Sequence, residues 1–459
     1  MQTTIAAIAT PLGTGGLGVV RLSGPRAYEI VARVFVPVSG RDIRRQKGYT
    51  ALLGRVERTL PDGGREMLDQ AVALFFRAPK SYTGEDAVEL SCHGGVAVLQ
   101  ETLRALLDAG AELAGPGEFS KRAVLAGKMT LTQAEGVMDL INAQTRQGAA
   151  AALSAMDGRL YRHAAAIRAD LVDLAAHLAA YVDYPDEDIP QLEEGVLTDR
   201  LQQVADQLSA LLQSFDTGSM IRNGIDTAIV GKPNVGKSTL MNLLAGYQRS
   251  IVTQVPGTTR DVVEDRVQLG EVTLNLADTA GIRETDDLVE QLGVQRSREK
   301  LERAQLVLAL FDGSVPLDEE DRQLLSQIGD KPCIAVINKQ DKAQRLDVEA
   351  VRAQIPDLVT MSAREERGVE ELEQAILRKL RLEKIDLQNG LLINERQRQA
   401  TSRAAARVVD GLDALRAGMT YDAVAVEIDE AITALSEFTG ESAGEQVIDA
   451  VFANFCVGK

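Results

Sequence analysis

The chain has 459 residues with 45% hydrophobic and 25% charged content, which excludes disordered and fibrous classes. At roughly 100–200 residues per domain, that length accommodates about two to four domains. Fifty Lys+Arg against 67 Asp+Glu give a formal charge of −17, and aromatics are only 4% with no Trp; a bulk surface that grips phosphate backbones is excluded, so a nucleic-acid substrate requires a local patch or a basic partner.

Residues 1–118 alternate β-like runs at 5–9, 18–22, 71–76 and 87–91 with Gly-rich turns and one helical stretch at 96–107. This predicts a compact α/β domain. Within it, Gly13-Thr14-Gly15-Gly16-Leu17-Gly18 matches the G-x-G-x-x-G dinucleotide fingerprint. That mechanism requires a helix N-terminus after the turn. Val19-Val20-Arg21-Leu22-Ser23-Gly24 is β-like and too short for one, so the run reads as a glycine turn.

From 119 the texture changes. Thr132 with Glu135 suggests a capping box, and an Ala- and Leu-rich helical pattern continues to Asp216. Residues 184–190 interrupt it with Pro185 and Pro190 around Asp186, Glu187 and Asp188, which suits a solvated turn. Between 222 and 380, apolar strands at 227–230, 272–276, 306–311, 334–337 and 359–361 alternate with helices, as in a parallel sheet covered on both faces. After Asn389-Gly390 the helical pattern returns over 394–455. Both helical segments have apolar faces to bury, so the economical arrangement is one helical domain (119–221 and 381–459) interrupted by an α/β insertion (222–380). A separate C-terminal helical domain is the alternative.

The insertion carries the clearest chemistry. Gly231-Lys232-Pro233-Asn234-Val235-Gly236-Lys237-Ser238 fits G-x-x-x-x-G-K-[ST] between an apolar strand and a helix expected near Thr239. Glycines let backbone N–H groups wrap phosphates, Lys237 reaches the β/γ oxygens, and the Ser238 hydroxyl suits Mg²⁺. Asn338-Lys339-Gln340-Asp341 follows a strand and gives N-K-x-D; the Asp341 carboxylate accepts both N1–H and N2–H of guanine, a pair adenine does not offer. Ser362-Ala363-Arg364 resembles the S-A-[KR] element that backs the guanine. Asp278-Thr279-Ala280-Gly281 places Asp278 near Mg²⁺ and the Gly281 amide near the γ-phosphate, and Gly257-Thr258-Thr259 offers Thr259 as a second Mg²⁺ hydroxyl. These fragments in this order indicate a GTPase.

Ile282 stands where Ras-like enzymes carry the Gln that orients attacking water. Hydrolysis must therefore recruit another polar group, with Arg283, Glu284, Asp286, Asp287 and Glu290 nearby. Charge on the transferring phosphoryl needs a cation, a second protomer or Arg283. Cys92, Cys333 and Cys456 share no CxxC spacing, and His93, His163 and His177 are scattered, which argues against a disulfide framework or structural zinc and suits a reducing cytosol. The first basic residue is Arg21, no apolar run approaches a bilayer's width, and the expectation is a cytoplasmic protein with no membrane partner.

The T-P-x-G-x-G-G-x-G pattern from Thr10 to Gly18, Tyr82-Thr83-Gly84-Glu85-Asp86, Pro116-Gly117-Glu118-Phe119-Ser120, Leu131-Thr132-Gln133-Ala134-Glu135, Phe438-Thr439-Gly440-Glu441 and the terminal Phe455-Cys456-Val457-Gly458-Lys459 carry a further resemblance. With the GTPase signatures inside a helical domain, the chain resembles the MnmE (TrmE) family of tRNA-modifying GTPases over essentially its whole length. Val457 replaces the commoner Ile, and Met129 follows Lys128, both small departures. The fold class expected is α/β plus α multidomain: an N-terminal α/β folate-binding and dimerisation domain at 1–118, and a helical domain interrupted by a Ras-like P-loop GTPase domain.

The resemblance implies a 5-formyl-tetrahydrofolate-type donor contacted by Arg21, Glu89, Lys128 and Lys459. It implies K⁺ held by Asn234, Thr253, Val255 and Thr258, filling the role of an arginine finger, with the intervening Gln254, Pro256 and Gly257 counted among the GTP contacts. Glu290 becomes the catalytic acid acting through water, beside Lys237 and Arg283. Cys456 is left with two readings, a nucleophile or a small buried residue anchoring the tail. The implied assembly is a homodimer that works with the FAD-dependent flavoprotein MnmG (GidA) on C5 of the wobble uridine of certain tRNAs. The competing reading is a K⁺-regulated switch GTPase in ribosome assembly, which needs neither the terminal motif nor a folate site.

Overall fold

A computed structural model describes residues 3–183, 194–247, 265–277, 304–328, 331–383, 390–441, 444–453 and 455–459. Its contacts divide the chain into two compact units, Met1–Met138 with Thr439–Lys459, and Asp139–Phe438.

The first unit is a seven-stranded sheet of order β3-β4-β5-β6-β2-β1-β7. Its strands are β1 (Ile5–Ile8), β2 (Gly15–Ser23), β3 (Phe35–Pro37), β4 (Thr50–Thr59), β5 (Arg65–Phe76), β6 (Ala87–Gly94) and β7 (Glu112–Leu113). All neighbours are antiparallel except β1 with β7. The helices α1 (Ala27–Val34) and α2 (Val96–Asp108) bury Ile30, Val31, Leu99 and Leu106 with Val20, Leu22, Phe75 and Leu90 of the sheet. The glycine run leads into β2, not a helix. A Cβ at Gly18 would stand 2.5 Å from a Leu99 methyl, so this glycine is set by helix–strand packing and not by a phosphate.

Two short helices follow, α3 (Glu118–Leu125) and α4 (Leu131–Asn142). The capping box lies one position before α4, two residues earlier than expected. The Thr130 N–H donates to Gln133 Oε1 at 2.9 Å, and the Gln133 N–H donates back to Thr130 Oγ1 at 3.2 Å. Thr132 and Glu135 are instead buried residues of the first turns. Leu131, Ala134 and Met138 pack on Ile448, Phe452 and Phe455 of the terminal helix (Glu445–Phe452) and tail. That apolar cluster explains why 439–459 groups with the N-terminal residues, although its helical pattern continues that of the preceding helices.

The second unit carries α5 (Arg146–Met156), α6 (Arg159–Asp183) and α7 (Glu194–Asn223), then the inserted sheet, then α12 (Glu395–Arg416) and α13 (Tyr421–Thr439). Leu171, Leu174, Leu201, Leu208, Val408, Leu412, Ile428 and Leu435 form one core across the insertion. A Cβ at Gly218 would fall 2.0 Å from the Leu392 carbonyl, so a side chain there is incompatible with the returning chain.

The insertion holds β8 (Ile225–Val230), α8 (Lys237–Tyr247), β9 (Asp265–Leu269), β10 (Val272–Ala277), β11 (Leu306–Asp312), α9 (Glu319–Ile328), β12 (Cys333–Asn338), α10 (Val348–Arg352), β13 (Leu358–Thr360) and α11 (Val369–Lys379). The sheet order is β13-β12-β11-β8-β10-β9, parallel except for β9 against β10. Leu240, Leu244, Leu372 and Ile376 of α8 and α11 join one core cluster, and Leu325, Ile328 and Val351 of α9 and α10 join another. The expected strands are thus present, and β9 is an edge strand that the βαβ pattern did not announce. Among the described residues, no helix is long and apolar enough to cross a membrane.

Gly117 offers a test of the tail packing. It sits at φ 61, its N–H donates to the Cys456 carbonyl at 3.3 Å, and a Cβ there would stand 2.7 Å from Phe455 Cβ. The left-handed backbone costs an L-residue about 1–2 kcal/mol, and overpacking adds a similar amount. Gly117→Ala is expected to destabilise the N-terminal unit by roughly 2–4 kcal/mol in urea denaturation and to expose the tail to carboxypeptidase. An unchanged midpoint would contradict the packing described.

Candidate functional site

Residues 231–236 connect β8 to α8, and the helix begins at Lys237, two residues before the position expected. Gly231 (φ 156), Asn234 (φ 64) and Gly236 (φ 106) bend the chain into a loop. A Cβ at Gly236 would stand 2.3 Å from Asn338 Nδ2, and one at Gly231 2.6 Å from the Leu310 carbonyl. Both motif glycines are therefore required by the close approach of β11 and β12. The loop delivers Lys237, Ser238 and Thr239 to the first turn of α8, where free N–H groups and the helix dipole favour an anion. Lys237 Nζ donates to the carbonyls of Gly231 (2.6 Å) and Lys232 (2.8 Å). Burial lowers its pKa below that of an ordinary lysine.

Asn338 ties the parts together. It is buried at the end of β12, its Nδ2 donates to the Val235 carbonyl at 2.9 Å, and its Oδ1 accepts the Ala363 N–H at 2.9 Å. One side chain thus fixes the phosphate loop to the loop behind the base. Lys339 (φ 64) donates to the Asn234 carbonyl at 2.7 Å and pairs with Asp312 at 2.6 Å. Burial would raise the Asp312 carboxyl, but Lys339 and Ser314 outweigh it and hold the group below the usual carboxylate range. Ser362 Oγ donates to Asp341 Oδ1 at 2.8 Å, and this bond, ahead of all other causes, keeps Asp341 below its ordinary pKa. Arg364 is exposed beside it.

Two supports escaped the sequence reading. Asp312 closes the Lys339 pair from β11. Lys232 bonds Asp318 (2.6 Å) and Asp321 (2.7 Å), which locks the entrance of the phosphate loop to the start of α9. Thr253, Gln254, Val255, Pro256, Gly257, Thr258, Thr259, Asp278, Thr279, Ala280, Gly281, Ile282, Arg283 and Glu290 lie outside the described residues. Of the expected Mg²⁺ and K⁺ ligands, Asn234 on the loop and Ser238 in the first turn of α8 are described, both exposed.

A second constellation lies in the first unit. Arg21 on β2 faces Glu89 on β6 in register, with Nε to Oε1 at 2.8 Å. Its Nη1 donates to the Gly458 carbonyl at 3.1 Å, and its guanidinium carbon is 5.7 Å from the ring centres of Tyr82 and Phe119. Lys459 shares this neighbourhood. Burial lowers its pKa first, and the positive charge of Arg21 lowers it further. Two cationic side chains beside Glu89 make a partly desolvated site, which fits an anionic ligand that also offers a donor to Glu89. A folate, with its glutamate tail and pterin edge, has that chemistry.

Lys128 stands apart from the other three. Its Nζ donates to the Pro79 carbonyl at 2.9 Å, on the loop that carries Tyr82. Tyr82 shares a 2.8 Å hydrogen bond with Ser120. Tyr82, Phe119 and Ser120 were legible only as parts of the Y-T-G-E-D and P-G-E-F-S segments, with no role attached. Cys456 is exposed, so it is not a buried anchor. Its carbonyl, which accepts the N–H groups of Gly117 and Lys459 at 3.3 Å each, does that work.

Comparison with known proteins finds relatives along the whole chain. The family described as the GTP-binding protein TrmE N-terminus matches residues 4–128, and the MnmE helical domain matches residues 131–456. The chain is 42% identical to the tRNA modification GTPase MnmE of Heliobacterium modesticaldum, over 99% of each chain. It is 40% identical to that of Natranaerobius thermophilus over 100% of both, and 37% identical to that of Acetivibrio thermocellus over 100% of this chain and 99% of the relative.

The Ser362–Asp341 bond sets a pH dependence. A depressed carboxyl pKa means that guanine recognition, present above the ordinary value of about 3.9, is lost only as pH falls through the lower folded value. Ser362→Ala removes the leading cause, so the acid limb of a GDP-binding profile is expected to move to higher pH. Superimposable profiles for the two proteins would contradict this assignment.

Proposed function

The chain belongs to the MnmE family of tRNA modification GTPases, and from that premise we propose that it couples GTP hydrolysis to installing an aminomethyl-type (carboxymethylaminomethyl) group on C5 of the wobble uridine of certain tRNAs. It acts as a homodimer in the cytoplasm with the FAD-dependent flavoprotein MnmG, and takes its one-carbon unit from 5-formyl-tetrahydrofolate or a related tetrahydrofolate. The observation that carries this reading is the pairing, in one chain, of a guanine-type phosphate site with a separate cationic cluster built from its last residues. A switch GTPase of ribosome assembly has no use for the second.

In the nucleotide site, Asn338 and Ser362 hold the phosphate loop and Asp341 in register, so affinity for guanine is bought before GTP arrives. Lys237, already desolvated and held by two carbonyls, exchanges them for phosphate oxygens. Ser238 and Thr259 would hold Mg²⁺, which neutralises charge on the transferring phosphoryl. Asn234, Thr253, Val255 and Thr258 would hold K⁺ for the same purpose, and Glu290 would position water with Arg283 nearby. In the N-terminal unit, Arg21 and Lys459 bind the carboxylates of the folate tail, Glu89 orients the pterin edge, and Lys128, bonded to the Pro79 carbonyl, closes the site against the 79–84 loop.

The test is reconstitution with the flavoprotein, tRNA and a tetrahydrofolate donor, followed by nucleoside mass analysis in matched KCl and NaCl buffers. C5-modified wobble uridine that requires GTP, with GTP turnover many-fold faster in KCl, is the expected result. GTP turnover without any modified uridine would sink the tRNA chemistry. Equal turnover in the two salts would remove K⁺ and shift charge neutralisation to Arg283 or a partner.

A further inference from the structure

In the N-terminal unit of this acidic chain, most arginines are matched by a carboxylate: Arg21 with Glu89, Arg58 with Glu66, Arg77 with Asp86, and Arg122 with Glu85. The segment 41–47 departs from that pattern. Arg41, Arg44 and Lys47 are exposed and, among the described residues, have no carboxylate within 4.0 Å. Arg45, 89% exposed, reaches Asp42 only at 3.8 Å. Lys80 is exposed nearby, on the stretch that begins at Arg77.

The backbone under these charges is fixed. Ile43 is buried, the Asp42 carboxylate accepts the Arg44 N–H at 3.0 Å, and Gln46 Nε2 donates to the Asp42 carbonyl at 3.0 Å. Arg77 donates to the carbonyls of Arg44 (2.5 Å) and Gln46 (3.2 Å) while its guanidinium lies 3.6 Å from the centre of the Tyr28 ring.

Tyr49 adds a second anomaly two residues on. It adopts φ 58, a left-handed conformation unfavourable for a bulky residue, and remains 69% exposed. Its ring stands edge-on to Phe76, with centres 5.8 Å apart at 83°. An exposed, held aromatic beside unpaired arginines is the pattern that binds single-stranded RNA, with guanidinium forks on phosphates and a ring under an unpaired base.

We propose that the 41–47 turn, with Lys80 and Tyr49, is an RNA-docking surface that takes phosphates on its cations and one unpaired base on Tyr49. It rests on the reading of this chain as acting on tRNA, and says where the RNA touches it. The position suits that role. Pro79, beside Lys80, supplies the carbonyl that holds Lys128, one of the residues the proposed one-carbon site draws on. The cluster is small, which fits a chain whose flavoprotein partner carries most of the RNA affinity.

The test uses the full complex with bulk tRNA. The triple variant Arg41→Gln, Arg44→Gln, Lys47→Gln is expected to raise KM for tRNA at least tenfold with kcat nearly unchanged. The slope of log affinity against log salt should become shallower by roughly 2–3. Tyr49→Ala should raise KM about tenfold without altering that slope, and Tyr49→Phe should restore it. Thermal midpoints report on folding, and Lys47→Gln alone, which removes no hydrogen bond, serves if the triple variant misfolds. A wild-type complex that modifies no tRNA overturns the functional reading. A wild-type complex that works, with KM and salt slope unchanged in the variants, overturns the docking surface. Loss of binding to phosphatidylglycerol vesicles at unchanged tRNA KM overturns it too, by assigning the turn to a membrane.

Discussion

Arg21 is the residue on which the N-terminal unit turns. It reaches across the sheet to Glu89 and along to the Gly458 carbonyl, so one guanidinium joins the second strand to the last residues of the chain. The approach is possible only because Gly458 (φ 96) has no Cβ, which would stand 2.5 Å from the Ile8 carbonyl. Charge pulls both ways here, since Lys459 is repelled by Arg21 and attracted by Glu89. An ion pair withdrawn this far from water, with side chains 18% and 23% exposed, loses much of its Coulomb gain to desolvation, whereas burying a Phe contributes roughly 1.5–3 kcal/mol. Phe452 and Phe455, buried against Leu131 and Met138, therefore hold the tail, and the tail holds the cations in place. Packing creates the site, and its two cationic side chains give it the chemistry that suits an anion.

The nucleotide unit is built on the opposite economy. Its charges are matched, as in Lys339 with Asp312 and Lys232 with Asp318 and Asp321, and its buried polar side chains make bonds that fix loops to strands. Asn338 shows why the order of the motifs matters: its two bonds reach the phosphate loop on one side and Ala363 on the other. Removing it would leave buried partners unpaired on both loops, at about 1–3 kcal/mol for each group.

What could be read from the sequence follows the same division. Motifs whose chemistry is local were legible: the phosphate loop, N-K-x-D, and the glycine run whose failure to precede a helix ruled out a dinucleotide site. The supports were not, because their partners are distant in sequence, 27 residues for Lys339 with Asp312, and 86 and 89 for Lys232 with its aspartates. Helix α1 and strand β4 were also missed. The first is only eight residues long, and β4 carries two adjacent leucines as its third and fourth residues, Leu52 inward and Leu53 outward, which blur the period-2 pattern. The tail shows a different limit. Its helical periodicity is real, but periodicity shows only that a face is buried, not which domain covers it.

Lys459 is where the role of the chain's last residues in the anion site is most directly tested. Titrating a tetrahydrofolate ligand into wild type and Lys459→Met across neutral to alkaline pH tests it. An anion binds the charged lysine, and a lowered folded pKa means that this charge is lost as pH rises through a value below the ordinary lysine range. The wild type is therefore expected to lose affinity over that interval, and Lys459→Met to bind at least tenfold more weakly with a flat profile there. Equal affinity and identical profiles would contradict the claim that the end of the chain builds the site.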